Sequence, residues 1–221
     1  MKIYKLKKIV LSILQKDSKL LKDISSNTLD KQKNAFLDRY AKIIVTFDQL
    51  QINQDKVLII IDEIFHERLL NYLTPLLKLS KAVLEKTDYN IYYDLDSSYK
   101  QKKDEFIIKQ KQGKLIITKN TISVNVSEQE FTLFRVKNNI PFQGIDFDKE
   151  MVLNVSSDFI SLTKGCFPGQ EIVARVSNLA KPPRKLSPSS DKENLTSRVY
   201  DQKTKKYIGF AFLLNFIPNP I

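Results

Sequence analysis

Residues 164–171 read Lys-Gly-Cys-Phe-Pro-Gly-Gln-Glu and hold the only cysteine of the 221-residue chain. The two glycines can adopt backbone angles that are closed to other residues. The proline fixes its own φ and pushes the preceding phenylalanine away from helical angles. The stretch therefore predicts a tight, irregular loop with Cys166 near its apex. Residues 170–175 can start a helix or a strand; in a helix, Glu171 lies in the first turn, where an acid is favourable.

The chemistry of this loop depends on its thiol. A thiol that lies just before a helix and two residues from Lys164 is expected to ionise more easily than a free thiol. Cys166 and Lys164 are therefore the candidate catalytic residues. The competing interpretation is that Cys166 is a small buried apolar side chain, which is the commoner role of a single cysteine.

Continued to Arg175, the stretch resembles the K-G-C-[YF]-x-G-Q-E-x-x-x-R signature of the YgfZ-type folate-binding proteins, with Phe167 where tyrosine is usual. That family is related to the glycine-cleavage T-protein, an aminomethyltransferase, and includes mitochondrial factors that help to assemble iron–sulfur clusters. Weaker similarity lies at residues 135–141, where Asn139 replaces a glycine of the family pattern, and at residues 36–47, 194–197 and 208–211.

The resemblance implies an α+β fold. Its subdomains are expected to form a ring around a central cavity, as in the T-protein and YgfZ-type proteins, with a shortened C-terminal β part. It also implies tetrahydrofolate or a derivative as the cofactor, and no stable metal, with Cys166 as a transient cluster ligand. The residues expected to bind the cofactor are Arg135, Gly165, Phe167, Gly169, Gln170, Glu171 and Arg175.

The function that follows from the resemblance is that of an accessory protein, not of a conventional enzyme. It supports iron–sulfur cluster assembly or repair and, through it, tRNA modification. One thiolate cannot hold a cluster that needs four ligands. Further ligands are therefore expected from assembly or client proteins, glutathione or a second copy of the chain.

Three alternatives stay open beside this reading. The first is an aminomethyltransferase-like, folate-dependent one-carbon transferase. The second is a factor that binds RNA directly. The third is a cysteine hydrolase, which needs a histidine base near the thiol, and His66 is the only histidine in the chain.

Composition narrows the classes of partner. The chain has 36 Lys and Arg against 25 Asp and Glu, for a net charge of +11, which could attract a polyanion such as RNA. The basic residues are scattered and mostly lysine, which favours a solvated surface and an indirect link to tRNA.

One cysteine excludes an internal disulfide. No apolar run approaches the roughly 20 residues that span a bilayer, so we expect a cytoplasmic protein without membrane contacts.

The pattern along the chain predicts three parts. Residues 1–176 form a folate-binding-like α+β domain of one or two subdomains. Residues 177–194, rich in proline, serine and charge, form a mobile linker. Residues 195–221 form a short C-terminal hairpin region.

Several elements can be placed within the first part. Val57 to Ile61 is a continuous apolar run, typical of a buried central strand. A helix is expected from Asp62 through Leu73, ending before Pro75. Residues 106–109, 115–118 and 122–126 indicate a meander of strands. A capping box at residues 127–130 predicts a helix that runs to about residue 138.

Overall fold

A computed structural model describes residues 1–179, 182–190 and 193–214. Within these ranges the chain forms twelve strands and five α-helices. The strands are β1 (Ile3–Lys5), β2 (Lys8–Leu14), β3 (Lys33–Leu37), β4 (Ile43–Gln51), β5 (Lys56–Asp62), β6 (Val83–Lys86), β7 (Asn90–Asp94), β8 (Phe106–Lys109), β9 (Lys114–Thr118), β10 (Arg184–Ser189), β11 (Thr196–Asp201) and β12 (Lys206–Leu214). The helices are α1 (Lys19–Ile24), α2 (His66–Ser80), α3 (Glu128–Lys137), α4 (Val152–Val155) and α5 (Gln170–Leu179).

The strands build three sheets, and all the strand pairs within them are antiparallel. The five-stranded sheet has the order β3-β4-β5-β2-β6, the four-stranded sheet β1-β7-β9-β8, and the three-stranded sheet β10-β12-β11. The α+β class expected from the sequence is therefore confirmed.

Strand β5 shows why a continuous apolar run appears in an antiparallel sheet. Its residues alternate between two cores, because successive side chains of a strand point to opposite faces. Ile59 packs towards the helix α2 side, and Ile60 packs towards the four-stranded sheet. Both faces are buried, which confirms the prediction of a buried central strand.

A third core lies where the cysteine loop, α5 and the three-stranded sheet meet the turn between β3 and β4. Phe167 and Val173 are buried there against Ala41, Leu186 and Phe210. The loop that carries Cys166 is therefore attached to the main body of the protein through its own apolar residues.

Helix α3 begins with the predicted capping box. The Ser127 side chain accepts a hydrogen bond from the Glu130 backbone N–H, and the Glu130 carboxylate accepts one from the Ser127 N–H. The helix ends at Lys137, one residue before the predicted end. Asn139 follows with φ 53, so the asparagine adopts the left-handed conformation that a glycine would take.

Two local predictions were wrong. Helix α2 does not end before Pro75 but continues to Ser80, because Leu76 and Leu77 beyond the proline pack against the core. Residues 122–126 are not a strand. Asn125 accepts a hydrogen bond from the Ile3 N–H through its side chain, at 2.8 Å, so the segment covers the edge of β1 without forming a ladder.

The predicted linker is also corrected in part. Helix α5 extends to Leu179, and residues 184–189 form β10, which pairs along its length with β12. The buried Leu186 explains this order, and Pro188 is tolerated because β10 is an edge strand. The hairpin of β11 and β12 lies where it was predicted. Residues 180, 181, 191, 192 and 215–221 of the predicted parts lie outside the described residues.

None of the helices in the described ranges is long and apolar enough to cross a membrane.

Candidate functional site

The two larger sheets and the segment after α3 enclose a cavity of about 40 Å³, which we call the central cavity. Its polar lining comes from residues that are distant in sequence. Lys8 is on β2, Lys33 on β3, Asp48 on β4, and Gln110 in the turn between β8 and β9. Phe142 adds an aromatic wall.

Asp48 is the buried carboxylate of this cavity, with only 8% of its surface exposed. The Lys8 ammonium donates to Oδ2 at 3.2 Å, and the Gln110 amide donates to Oδ1 at 3.0 Å. Burial alone would raise the pKa of Asp48, but the charges of Lys8 and Lys33 and the Gln110 hydrogen bond hold it below its usual range. The carboxylate is therefore ionised and fully engaged at neutral pH.

Lys33 is the second cation of the cavity and, unlike Lys8, has no carboxylate in contact with its ammonium among the described residues. Its ammonium lies 5.7 Å from the centroid of the Phe159 ring. Among the described residues it makes no hydrogen bond and no ion pair within 4 Å. Burial lowers the pKa of Lys33, and the attraction of Asp48 only partly opposes this effect.

Two larger openings adjoin the central cavity. The lysine opening, of about 340 Å³, shares Lys33 and Gln110 with it and is also lined by Lys31, Lys111 and Asp158. The arginine opening, of about 380 Å³, shares Lys8, Asp62 and Phe142 with it and is also lined by Tyr4, Arg135 and Arg198. Both volumes fall within the roughly 300–1,000 Å³ of small-molecule sites.

The cysteine loop presents its thiol to solvent. Cys166 is exposed and free, so the interpretation of a buried apolar cysteine is excluded. The loop is fixed on both sides of the thiol. The Lys164 N–H donates to Ser161 Oγ at 3.1 Å, and the Phe167 ring is buried in the third core. Packing explains the position of Phe167, so its predicted contact with a cofactor gains no support.

Gly169 has the backbone conformation that the loop requires. Its φ is +82, and a Cβ there would lie 2.6 Å from the Asp38 carbonyl oxygen and 2.8 Å from the Ala41 backbone. Gly165 has no such requirement, because it faces open space and its φ is not positive. Only the second glycine of the motif is thus needed for the shape of the loop.

Lys164 lies beside the thiol in the chain, with its ammonium turned inward. The nitrogen is buried, has no hydrogen-bond partner, and lies 5.3 Å from the centroid of the Phe167 ring. Burial lowers the pKa of Lys164, and the charges of Asp23 and Cys166 oppose this effect. Lys164 therefore can act as a nearby positive charge or, when neutral, as a base.

The remaining motif residues differ in their roles. The Gln170 amide donates to the Lys164 carbonyl oxygen at 3.4 Å, which supports the loop. Glu171 and Arg175 are both exposed, and no ion pair joins these two described residues.

Arg135 is a buried structural residue that also lines the arginine opening. Its guanidinium donates to Asp146 Oδ2 at 2.8 Å, to the Ile140 carbonyl oxygen at 3.1 Å and to Ser197 Oγ at 2.7 Å. With only 3% of its surface exposed, Arg135 has its charge satisfied by Asp146. The ion pair explains the position of Arg135, and its contact with a cofactor stays a prediction.

The structure does not join the cysteine loop to the central cavity. Cys166 lines neither this cavity nor the two openings, and the lysine opening is the one whose rim reaches Ser161, just before the loop. His66 is half-buried at the start of α2, and none of the contacts in the described ranges links it to Cys166. The histidine that a cysteine hydrolase requires is not supported.

Sequence reasoning missed the polar cluster of Lys8, Lys33, Asp48 and Gln110. The sequence contained one partial signal. Thr46 and Asp48 alternate with apolar residues in β4, which places two polar side chains on one face of a largely buried strand. The partners of Asp48 carried no signal. Lys33 lies opposite Asp48 on the neighbouring strand and Lys8 lies on a third strand of the same sheet, but the strand order is not readable from the sequence, and Gln110 comes from the other sheet.

No protein-family model matches the sequence, and no curated protein matches it. Among solved structures, the chain is similar to the glycine cleavage system aminomethyltransferase T from Bartonella henselae, with a TM-score of 0.71 and 8% sequence identity. The match covers 96% of this chain and 78% of that one. At this identity the likeness shows the fold alone: the chain has the α+β architecture of three antiparallel sheets that resembles the T-protein fold.

Proposed function

We propose that the chain is a folate-binding accessory protein that supports iron–sulfur cluster assembly or repair in the cytoplasm, and thereby tRNA modification. The observation that carries the proposal is the exposed thiol of Cys166 on a loop fixed by Phe167 and Gly169. An exposed thiol can reach a cluster or a partner protein, which a buried thiol cannot. The K-G-C-F-P-G-Q-E motif and the T-protein-like fold support the same proposal.

In this function Cys166 acts as a transient thiolate ligand or as a redox-active thiol. The buried Lys164 ammonium supplies a positive charge near the loop, which favours a thiolate. A cluster needs more ligands than one thiolate supplies. Assembly or client proteins, glutathione or a second copy of the chain would provide the others.

The size of each cavity decides where a folate fits. The central cavity offers a carboxylate, an amide and an aromatic wall, but its volume of about 40 Å³ is far below the roughly 300–1,000 Å³ of small-molecule sites. A pterin ring does not fit there as the side chains stand. The two openings are large enough, so a folate is proposed at an opening. When bound, a reduced folate supplies a carrier for one-carbon groups.

The test is complementation of cells that lack the natural protein, with iron–sulfur enzyme activities as the readout. Cys166→Ala should fail to restore these activities, whereas the control variant Leu162→Ala should restore them, since it changes an exposed side chain just before the motif. Equal thermal unfolding of both variants controls for folding. Full rescue by Cys166→Ala would refute the thiol's role.

Folate binding is tested separately, by titration of the purified protein with tetrahydrofolate. Binding should be retained in Cys166→Ala, because Cys166 lines neither opening. If tetrahydrofolate does not bind the wild-type protein, the proposal loses its cofactor. The role of the thiol is then tested by the complementation experiment alone.

The fold itself favours a second candidate, a folate-dependent aminomethyltransferase. In that case the buried Asp48 of the central cavity would matter more than Cys166. Formation of methylenetetrahydrofolate from an aminomethylated carrier, unchanged in Cys166→Ala and lost in Asp48→Asn, would select this candidate. The absence of this reaction in the wild-type protein would exclude it.

A further inference from the structure

The lysine opening has an excess of positive charge that the fold leaves without a partner. Its lining carries Lys31, Lys33 and Lys111 against one carboxylate, Asp158. Lys33 lies deepest, because it also lines the central cavity. Any anion that enters from solvent would thus meet the two outer lysines first and Lys33 last.

The carboxylates nearby do not satisfy Lys33. Asp48 attracts Lys33, but among the described residues its ion pair within 4 Å is with Lys8 and not with Lys33. In the described part of the chain, the Lys33 ammonium has no hydrogen-bond acceptor within reach and stands over the Phe159 ring. The Lys33 side chain is half-buried, so its charge is only partly hydrated and lacks an acceptor that would offset this loss. An anion that enters the opening can supply that acceptor.

The outer lysines are held only by exposed ion pairs. Lys111 pairs with Asp158 at 2.5 Å, and Lys31 pairs with its neighbour Asp30 at 3.3 Å. Exposed pairs of this kind contribute little to stability, so an incoming anion can replace the carboxylates at small cost. The opening, of about 340 Å³, is large enough for the group and part of the molecule that carries it.

We propose that the lysine opening binds a carboxylate or phosphate group of a small anionic ligand, with Lys33 as the deep recognition residue and Lys31 and Lys111 at the rim. This site does not depend on Cys166. The proposed function suggests one source of the group, the glutamyl carboxylates of a folate. A free phosphate compound is the other source.

The test is calorimetric titration of the full chain at low salt with inorganic phosphate, tri-γ-glutamate, and tetrahydrofolate in its monoglutamyl and triglutamyl forms. At least one anion should bind with a Kd below about 10 mM, and Lys33→Met should weaken that binding about tenfold or more. Lys33→Arg, which keeps the charge, should bind like the wild type. Lys78→Met, which changes an exposed lysine on α2, is the matched control.

The outcomes separate the two sources. Binding of phosphate but not of the other probes would identify the ligand as a phosphate compound. Binding of tri-γ-glutamate, with a preference for triglutamyl folate, assigns the glutamyl tail. Failure of all probes to bind the wild type, or equal affinity of the wild type and Lys33→Met, would overturn the proposal. Phosphate binding without any folate binding would support this site while the folate part of the proposed function fails.

A second measurement separates recognition from a structural role. If Lys33 is kept for a ligand, Lys33→Met should raise the thermal unfolding temperature of the ligand-free protein, because it removes an unsatisfied charge and keeps the apolar stem over Phe159. A structural lysine would lower the unfolding temperature when replaced. A decrease together with unchanged anion affinity would overturn the assignment of Lys33.

Discussion

At the residue scale, the two glycines of the cysteine loop give opposite predictions for the same substitution. Gly169→Ala places a methyl group 2.6 Å from the Asp38 carbonyl oxygen, at a φ of +82. We expect it to destabilise the protein by about 2 kcal/mol or more, from the left-handed backbone and the contact with the turn together. Urea denaturation measures the change.

Gly165→Ala is the matched control for this prediction, because a Cβ at that position meets nothing within 4 Å. Its effect should stay within about 0.5 kcal/mol, as for other exposed positions. Equal effects of the two substitutions would show that the loop is free to move away from the turn between β3 and β4. The attachment of the cysteine loop described above would then be wrong.

Lys33 gives a pH dependence whose sign follows from its environment. Its pKa in the folded protein is lowered from 10.5, first by burial, then by the positive charges of Lys8 and Lys111, against the attraction of Asp48 and Asp158. Between the lowered value and 10.5 the unfolded chain binds more protons at this site than the folded protein does. The free energy of unfolding therefore gains a positive slope with pH in this window.

The measurement is the difference in unfolding free energy between the wild type and Lys33→Met at a series of pH values. We expect the wild type to be the less stable protein near neutral pH, and its deficit to shrink as the pH approaches 10.5. Lys8 stays in both proteins, so most of its titration cancels in the difference. A deficit that grows with pH would mean that the charged form of Lys33 is stabilised in the folded protein.

The sequence predicted the surroundings of a side chain only where a local motif determines them. A proline and two glycines around Cys166 predicted a loop that exposes the thiol, and the thiol is exposed. The family resemblance named Arg135 as a cofactor-binding residue but gave no sign of its ion pair with Asp146 inside the protein. No local motif contains Asp146 as the partner of Arg135, so the ion pair could not be predicted.

At the element scale, helix α3 depends on its capping box. Ser127→Ala removes the acceptor for the Glu130 N–H, and we expect a loss of about 1 kcal/mol of stability. Ser127→Asp keeps an acceptor at the N-cap and should retain most of the stability. Urea denaturation of the three proteins tests this order. Equal stability of wild type and Ser127→Ala would show that packing of Phe131 alone fixes the start of the helix.

The elements that the sequence predicted are those with a local cause. The capping box fixes the start of α3, and the apolar run of β5 fits a strand with two buried faces. The elements that it missed depend on distant contacts. Helix α2 continues past Pro75 because Leu76 and Leu77 pack against the core. Strand β10 forms because it pairs with β12.

At the scale of the whole molecule, the chain resembles in fold a longer protein with which it shares little sequence. The three antiparallel sheets of the described residues match that protein with a TM-score of 0.71 at 8% identity. The architecture was predicted through the resemblance of one motif, since hydrophobic periodicity indicates strands and helices but not how three sheets meet. In the polar cluster of the central cavity, only Gln110 depends on that meeting, because Lys8, Lys33 and Asp48 lie on strands of one sheet.

The net charge of +11 gives the last prediction. A strong excess of one sign destabilises the compact state through self-repulsion, and salt screens repulsion between exposed charges that are about 10 Å apart or more. Several of the ion pairs in the described ranges are well exposed, such as Lys31 with Asp30 and Lys119 with Asp88, so screening them costs little. Salt should therefore stabilise this protein.

The experiment follows thermal unfolding in potassium chloride from about 20 mM to about 300 mM, a range in which screening changes strongly while exclusion effects stay small. We expect the unfolding temperature to rise by a few degrees. Lys33→Met is the control for specific anion binding at the lysine opening, and it should show the same rise if general screening is the cause. A fall in unfolding temperature would mean that attractive pairs such as Lys8 with Asp48 outweigh the repulsion across the whole surface.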